Sequence, residues 1–160
     1  MISRPAVTIE RTFQASAEEV WELWTTKDGI ESWWGPEGFS VIVRSLDLRA
    51  GGVLDYTMTA TRAQEIEYMK KAGMPLSTLN KIRFTEVSPP RRLAYRELVD
   101  FIPGVEPYEV AVAVDFLPVP DGVRVVVTFD RMHDERWTEL AKLGRESELD
   151  RLAKVLAARQ

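Results

Sequence analysis

The chain has 160 residues, 45% of them apolar, with nine Gly and nine Pro, enough for one domain with a full hydrophobic core and too few for a second. Its 21 basic and 25 acidic residues leave a net charge of -4 with both signs scattered along the sequence, so there is no basic face to attract a nucleic-acid backbone. The lack of any Cys excludes disulfides, thiolate nucleophiles, iron–sulfur clusters and cysteine-ligated zinc.

No apolar run approaches the ~18 residues that span a bilayer. The opening Met1-Ile2-Ser3-Arg4-Pro5 shows no recognisable export signal. The expectation is a soluble, cytoplasmic protein forming a single domain over residues 1–160.

Residues 7–13 alternate Val7, Ile9, Arg11 and Phe13 against Thr8, Glu10 and Thr12, the period of a half-buried strand. Ser16 then precedes Ala17-Glu18-Glu19, an N-cap followed by first-turn carboxylates, and Val20, Leu23 and Trp24 follow at helical spacing to about residue 26. Asp28-Gly29 is expected to interrupt, with a second helical turn over residues 30–34 stopped by Gly35-Pro36.

From Gly38 the period becomes two. Residues 39–48 and 53–60 read as a hairpin around Arg49-Ala50-Gly51-Gly52, whose glycines permit positive φ. Residues 61–79 depart from strand pattern and read as an inserted helical flap, broken by Gly73 and Pro75. Four strands are expected next, over residues 82–87, 92–102, 108–117 and 123–131. In the third of these Tyr108, Val110, Val112, Val114 and Phe116 form one apolar face, as in an antiparallel sheet with one wet side. Residues 134–158 carry Trp137, Leu140, Ala141, Gly144, Leu149, Leu152, Val155 and Leu156 at helical spacing and supply the cover that such a sheet needs.

Three segments together carry a resemblance: Val20-Trp21-Glu22-Leu23-Trp24-Thr25, Trp33-Trp34-Gly35-Pro36-Glu37-Gly38-Phe39 and Asp47-Leu48-Arg49-Ala50-Gly51-Gly52. Glu86-Val87-Ser88-Pro89-Pro90-Arg91-Arg92-Leu93 fits the same order of elements. The chain resembles the START-related (SRPBCC) superfamily, in the branch similar to the activator of the ninety-kilodalton heat-shock-protein ATPase. The resemblance implies an α+β helix-grip fold: a curved antiparallel sheet of about seven strands around a long C-terminal helix, with two short helices after the first strand. It also implies a cavity between sheet and helix. Superfamily members include binders of apolar molecules, cyclases, dehydratases and chaperone regulators, so fold alone does not choose among them. Two departures stand out: Gly144-Arg145 replaces a Gly-Trp pair common in relatives, and residues 61–79 replace a shorter connection.

The leading expectation is a non-catalytic binder of a small apolar ligand. Its cavity would be lined by Trp33, Trp34, Phe39, Tyr56, Met58, Phe84, Tyr95, Val112, Val114, Phe116 and Trp137, with Glu97, His133 and the tyrosines as polar determinants. Ordinary core packing is the alternative for the tryptophans, one ring of the Trp33-Trp34 pair being expected inside and one near the mouth. Val114→Trp is the variant expected to fill the cavity. Alternation puts Glu97 on the inward face with Leu93, Tyr95, Val99 and Phe101, where it would be desolvated unless paired; an outward register, or an ion pair with a residue such as Arg131, is the alternative. His133, the single histidine, reads as a cap or sheet contact, or else as a proton carrier.

No catalytic residue, metal ligand or cofactor is assigned. A cyclase or dehydratase moving a proton through Glu97 or His133 is the second reading. A surface regulator of a heat-shock ATPase ranks last. A homodimer through sheet edges or the flap is compatible with the pattern.

Overall fold

The computed structural model describes residues 6–159; the opening segment through Pro5, read above for a leader, lies outside them. Seven strands form one antiparallel sheet: β1 (Val7–Phe13), β2 (Phe39–Leu46), β3 (Val53–Ala60), β4 (Ser77–Ser88), β5 (Arg92–Val99), β6 (Tyr108–Val119) and β7 (Gly122–Phe129). Their order in space is β1-β7-β6-β5-β4-β3-β2. The strands after β1 therefore meander across the sheet, and β1 closes the far edge by pairing Val7 with Phe129 and Phe13 with Val123. Helices α1 (Ala17–Thr25) and α2 (Lys27–Trp33) carry the chain from β1 to the opposite edge, α3 (Ala63–Lys71) sits between β3 and β4, and α4 (Glu135–Ala158) crosses the concave face. This is the helix-grip arrangement. Among the described residues no helix is long and apolar enough to cross a membrane.

Local chemistry sets the helix boundaries. Ser16 Oγ accepts from the Glu19 N–H at 3.0 Å, Thr26 Oγ1 from Gly29 at 3.1 Å and an Asp134 carboxylate oxygen from Trp137 at 2.8 Å, so the starts of α1, α2 and α4 each have a side-chain acceptor for an orphan N–H, whereas α3 begins at Arg62 without one. Asp28-Gly29 does not interrupt the helices as expected; it forms the first turn of α2. A Cβ at Gly29 would lie 2.7 Å from the Leu23 Cα and 2.8 Å from the Glu22 carbonyl, so glycine there permits α2 to press against α1. Trp33 Nε1 completes the junction by donating to the Leu23 carbonyl at 2.8 Å.

The flap is shorter than its sequence suggests. Helix occupies only Ala63–Lys71, and Gly73 turns the chain with φ +71. Residues 77–81 then pair with β3, Ser77 opposite Thr59 and Lys81 opposite Asp55. Cross-strand hydrogen bonding overrides the weak alternation in Ser77-Thr78-Leu79-Asn80-Lys81.

The apolar face of the sheet is buried from Leu54 through Ile82, Leu93 and Val114 to Val125, each at most 1% exposed. The two halves of α4 meet it differently. In the C-terminal half Leu149, Leu152 and Leu156 are buried, whereas in the N-terminal half Thr138 alone is. Leu140, Ala141 and Gly144 are only half-covered. One half of the helix is seated and the other stands off the sheet.

Candidate functional site

Where α4 stands off, a cavity of about 240 Å3 opens between the helix and strands β3 to β7. Its walls include Tyr56, Met58, Val99 and Val110 from the sheet, and Trp137, Ala141 and Gly144 from α4. A second space of about 320 Å3 lies under the flap, bounded by Phe39, Tyr68, Met69, Met74 and Leu76. The two share Pro36, Met58, Phe101, Trp137 and Leu140, which makes them neighbouring chambers with common walls. Both are predominantly apolar, the character of small-molecule sites.

At the inner end the character changes. A void of about 30 Å3 is bordered by Trp33, Trp34, Tyr56, Tyr95, Glu97, Arg145 and Glu148. Tyr56, Glu97, Arg145 and Glu148 also line the larger chamber, so the apolar space ends on a polar wall. Arg145 Nη2 donates to Glu97 Oε1 at 2.6 Å, and its guanidinium carbon lies 4.4 Å from the centre of the Phe129 ring, a cation–π arrangement. Glu148 Oε2 accepts the Gly35 N–H at 2.8 Å. Beside it, one Arg151 nitrogen lies 3.2, 2.8, 3.3 and 3.0 Å from the carbonyl oxygens of Trp34, Gly35, Pro36 and Phe39, which share its two N–H donors. The Ser147 hydroxyl accepts from Glu37 N–H at 3.0 Å. The turn after α2 is thus lashed to α4, with Gly35 at φ +85 supplying a conformation that other residues resist.

The wall has defined electrostatics. Burial pushes the Glu148 carboxyl up to about 7, against the opposing pull of Arg145 and the Gly35 N–H. Burial also works against the Arg145 charge, but Glu97, Tyr95 and Glu148 outweigh it and hold its pKa above the ordinary guanidinium value. Burial, reinforced by the Glu97 charge, raises the Tyr56 and Tyr95 phenols well above their usual range, so both stay neutral donors at any physiological pH.

The sequence candidates divide among these places. Tyr56, Met58, Glu97 and Trp137 line the 240 Å3 chamber; Phe39 lies in the outer one; Trp33, Trp34 and Tyr95 border the inner void. Trp33 and Trp34 are 2% and 5% exposed, so neither ring stands at a mouth. Phe84, Val112, Val114 and Phe116 line none of the three spaces and are at most 2% exposed. At Phe116 the space is taken by α1, whose Trp21 and Trp24 rings meet it edge-on at 5.4 and 5.5 Å, while Phe84 packs edge-on against Tyr95 at 6.3 Å. Val114→Trp would therefore overpack solid core. His133 lies outside these spaces, its Nδ1 sharing a hydrogen bond of 2.8 Å with the Tyr108 hydroxyl. Arg131 pairs with Glu135 at 2.9 Å, leaving Glu97 to Arg145.

Sequence reasoning missed Arg145, Glu148 and Arg151 as site residues. A signal existed: residues 141, 145, 148 and 152 recur at helical spacing, so two charged residues interrupt the inward stripe of α4. The Gly144-Arg145 departure marked the same spot.

Among solved structures, a protein from Chromobacterium violaceum superposes with a TM-score of 0.77 at 21% identity, covering 96% of this chain and 98% of its own. The AHSA1 protein from Silicibacter pomeroyi gives 0.75 at 22% identity, covering 97% and 99%. A protein from Nitrosomonas europaea gives 0.73 at 20% identity, covering 100% and 99%. These likenesses concern the fold. Among curated proteins no relative matches. The family model described as Activator of Hsp90 ATPase homolog 1-like protein matches residues 14–157, and the chain belongs to that family.

Proposed function

We propose that this protein binds a small, largely apolar molecule in the chambers between the sheet and the N-terminal half of α4, without transforming it. The supporting observation is the lift of that half-helix off the sheet, which leaves a chamber of about 240 Å3. The chamber exceeds the roughly 150 Å3 apolar cavity that accepts a benzene-sized guest. Methionines at 58, 69 and 74 line the outer chamber, and their flexible side chains let one site accommodate ligands of varied shape.

Proton-transfer readings through His133 or Glu97 find less support. His133 is engaged with Tyr108 outside the chambers, and Glu97 is held by Arg145. Regulation of a heat-shock ATPase rests on the family description alone.

The test is a titration of the folded protein with a panel of apolar probes, followed through tryptophan emission, since Trp137 borders both chambers. Saturable change is expected. Gly144→Leu should abolish it while raising the unfolding midpoint: a Cβ at Gly144 meets no atom within 4 Å, and leucine improves on glycine by about 1 kcal/mol in a helix interior. A flat response across the panel, or unaltered affinity in Gly144→Leu, would defeat the proposal.

A further inference from the structure

Resting on that apolar-ligand reading, we infer that the inner wall selects a ligand bearing a neutral oxygen acceptor, a ketone or comparable carbonyl, and rejects one ending in a free carboxylate.

Two buried donors carry the argument. Trp34 Nε1 and Arg145 Nε each lack a hydrogen-bond acceptor among the described residues, and both side chains border the same inner void; Trp24 Nε1 is a third such donor on that void, set against the Tyr95 hydroxyl. Trp34 is 5% exposed, and the Arg145 side chain 16%. A buried N–H without an acceptor forfeits roughly 1–3 kcal/mol, so a fold that gathers such donors at one spot gains when an acceptor arrives. The void of about 30 Å3 suits a single oxygen-bearing group. It adjoins the larger chamber through the side chains they share, where the apolar remainder of such a ligand would lie.

Charge decides which acceptor. The single cation of the wall, Arg145, already faces Glu97 at 2.6 Å, and the Glu148 carboxyl lies on the same wall. A ligand carboxylate would bring a further negative charge to a partly dehydrated place whose cation is already matched, an expensive placement. A carbonyl accepts the same two N–H groups with no net charge.

The experiment uses three probes with equal carbon counts: butylbenzene, butyrophenone and phenylbutyrate, titrated calorimetrically against the full chain near pH 8. Butyrophenone is expected to bind roughly tenfold tighter than butylbenzene and more than tenfold tighter than phenylbutyrate. Trp34→Phe keeps a ring and removes the N–H; it should lower the ketone's affinity roughly fivefold relative to that of butylbenzene. Arg145→Lys retains a cation for Glu97 and has no Nε, and provides an independent second variant with the same expected loss. Equal or tighter binding of phenylbutyrate, or a ketone preference that survives both variants, overturns the inference. Binding of butylbenzene without any ketone preference overturns it while leaving the apolar-ligand reading standing; no binding of any probe overturns both.

Discussion

Arg145 of α4 and Glu97 of β5, 48 positions apart, meet at 2.6 Å beneath the helix. Their side chains are 16% and 24% exposed, so the pair is partly shielded, and losing one partner costs more there than at the surface. Arg145→Met alone should destabilise by roughly 2 kcal/mol, mainly because Glu97 is left without its cation. The double variant with Glu97→Met should recover most of that loss. Urea midpoints for the four proteins give the coupling; additive single effects would show that the pair contributes little.

Glu148 should give the fold an unusual slope with pH. Its carboxyl titrates near 7 in the folded chain against 4.5 ordinarily. Between those values the folded chain binds more protons than the unfolded one, so this group's contribution is full below about 4.5 and lost as pH rises through about 7. Glu31 acts oppositely: the Val43 N–H and Lys27 hold its pKa down, so its contribution is present at neutral pH and lost on acidification. Comparing Glu148→Gln with the parent from pH 5 to pH 8 isolates the first effect. The variant should gain a few kcal/mol relative to the parent at the alkaline end; parallel curves would refute a raised carboxyl.

The turn from Trp34 to Phe39 depends on Arg151, one nitrogen of which spans four carbonyls. Arg151→Ala should cost roughly 2 kcal/mol. Amide exchange should accelerate at Glu37, whose N–H binds Ser147, and at Phe39, whose N–H binds Pro36, with little change in the center of β6. Uniform acceleration across the sheet would instead indicate a global loss.

The sequence carried the sheet because alternation is a local property. The apolar face of β6, Val110 through Phe116, is buried as its period demands, and the α1 cap is visible in Ser16-Ala17-Glu18-Glu19. What failed to show depends on distant partners. Nothing near Asp28-Gly29 reveals that α1 needs a glycine beside it. The strand character of residues 77–81 comes from β3. Val114 looks like a cavity wall from its face, and only the tryptophans of α1 fill the space above that end of the sheet. Arg145 and Glu148 were visible as charges on an apolar stripe, but Glu97 and Gly35 as their partners were not.

The flap offers the last prediction. Met69 is the one buried residue of α3, and it forms part of the outer chamber. Arg62 and Glu65 brace the helix start at 2.6 Å, while Thr61 N–H and hydroxyl both donate to the Gly38 carbonyl. These anchors hold the N-terminal end, so the remainder of α3 depends on Met69 for its seat. Met69→Lys removes that seat without touching the sheet. Amides of residues 66–72 should lose most of their exchange protection, the global unfolding midpoint should change little, and a bound apolar probe should dissociate several-fold faster because the outer chamber loses a wall. Retained protection with unaltered dissociation would show that α3 is held by its anchors alone and does not guard the chambers.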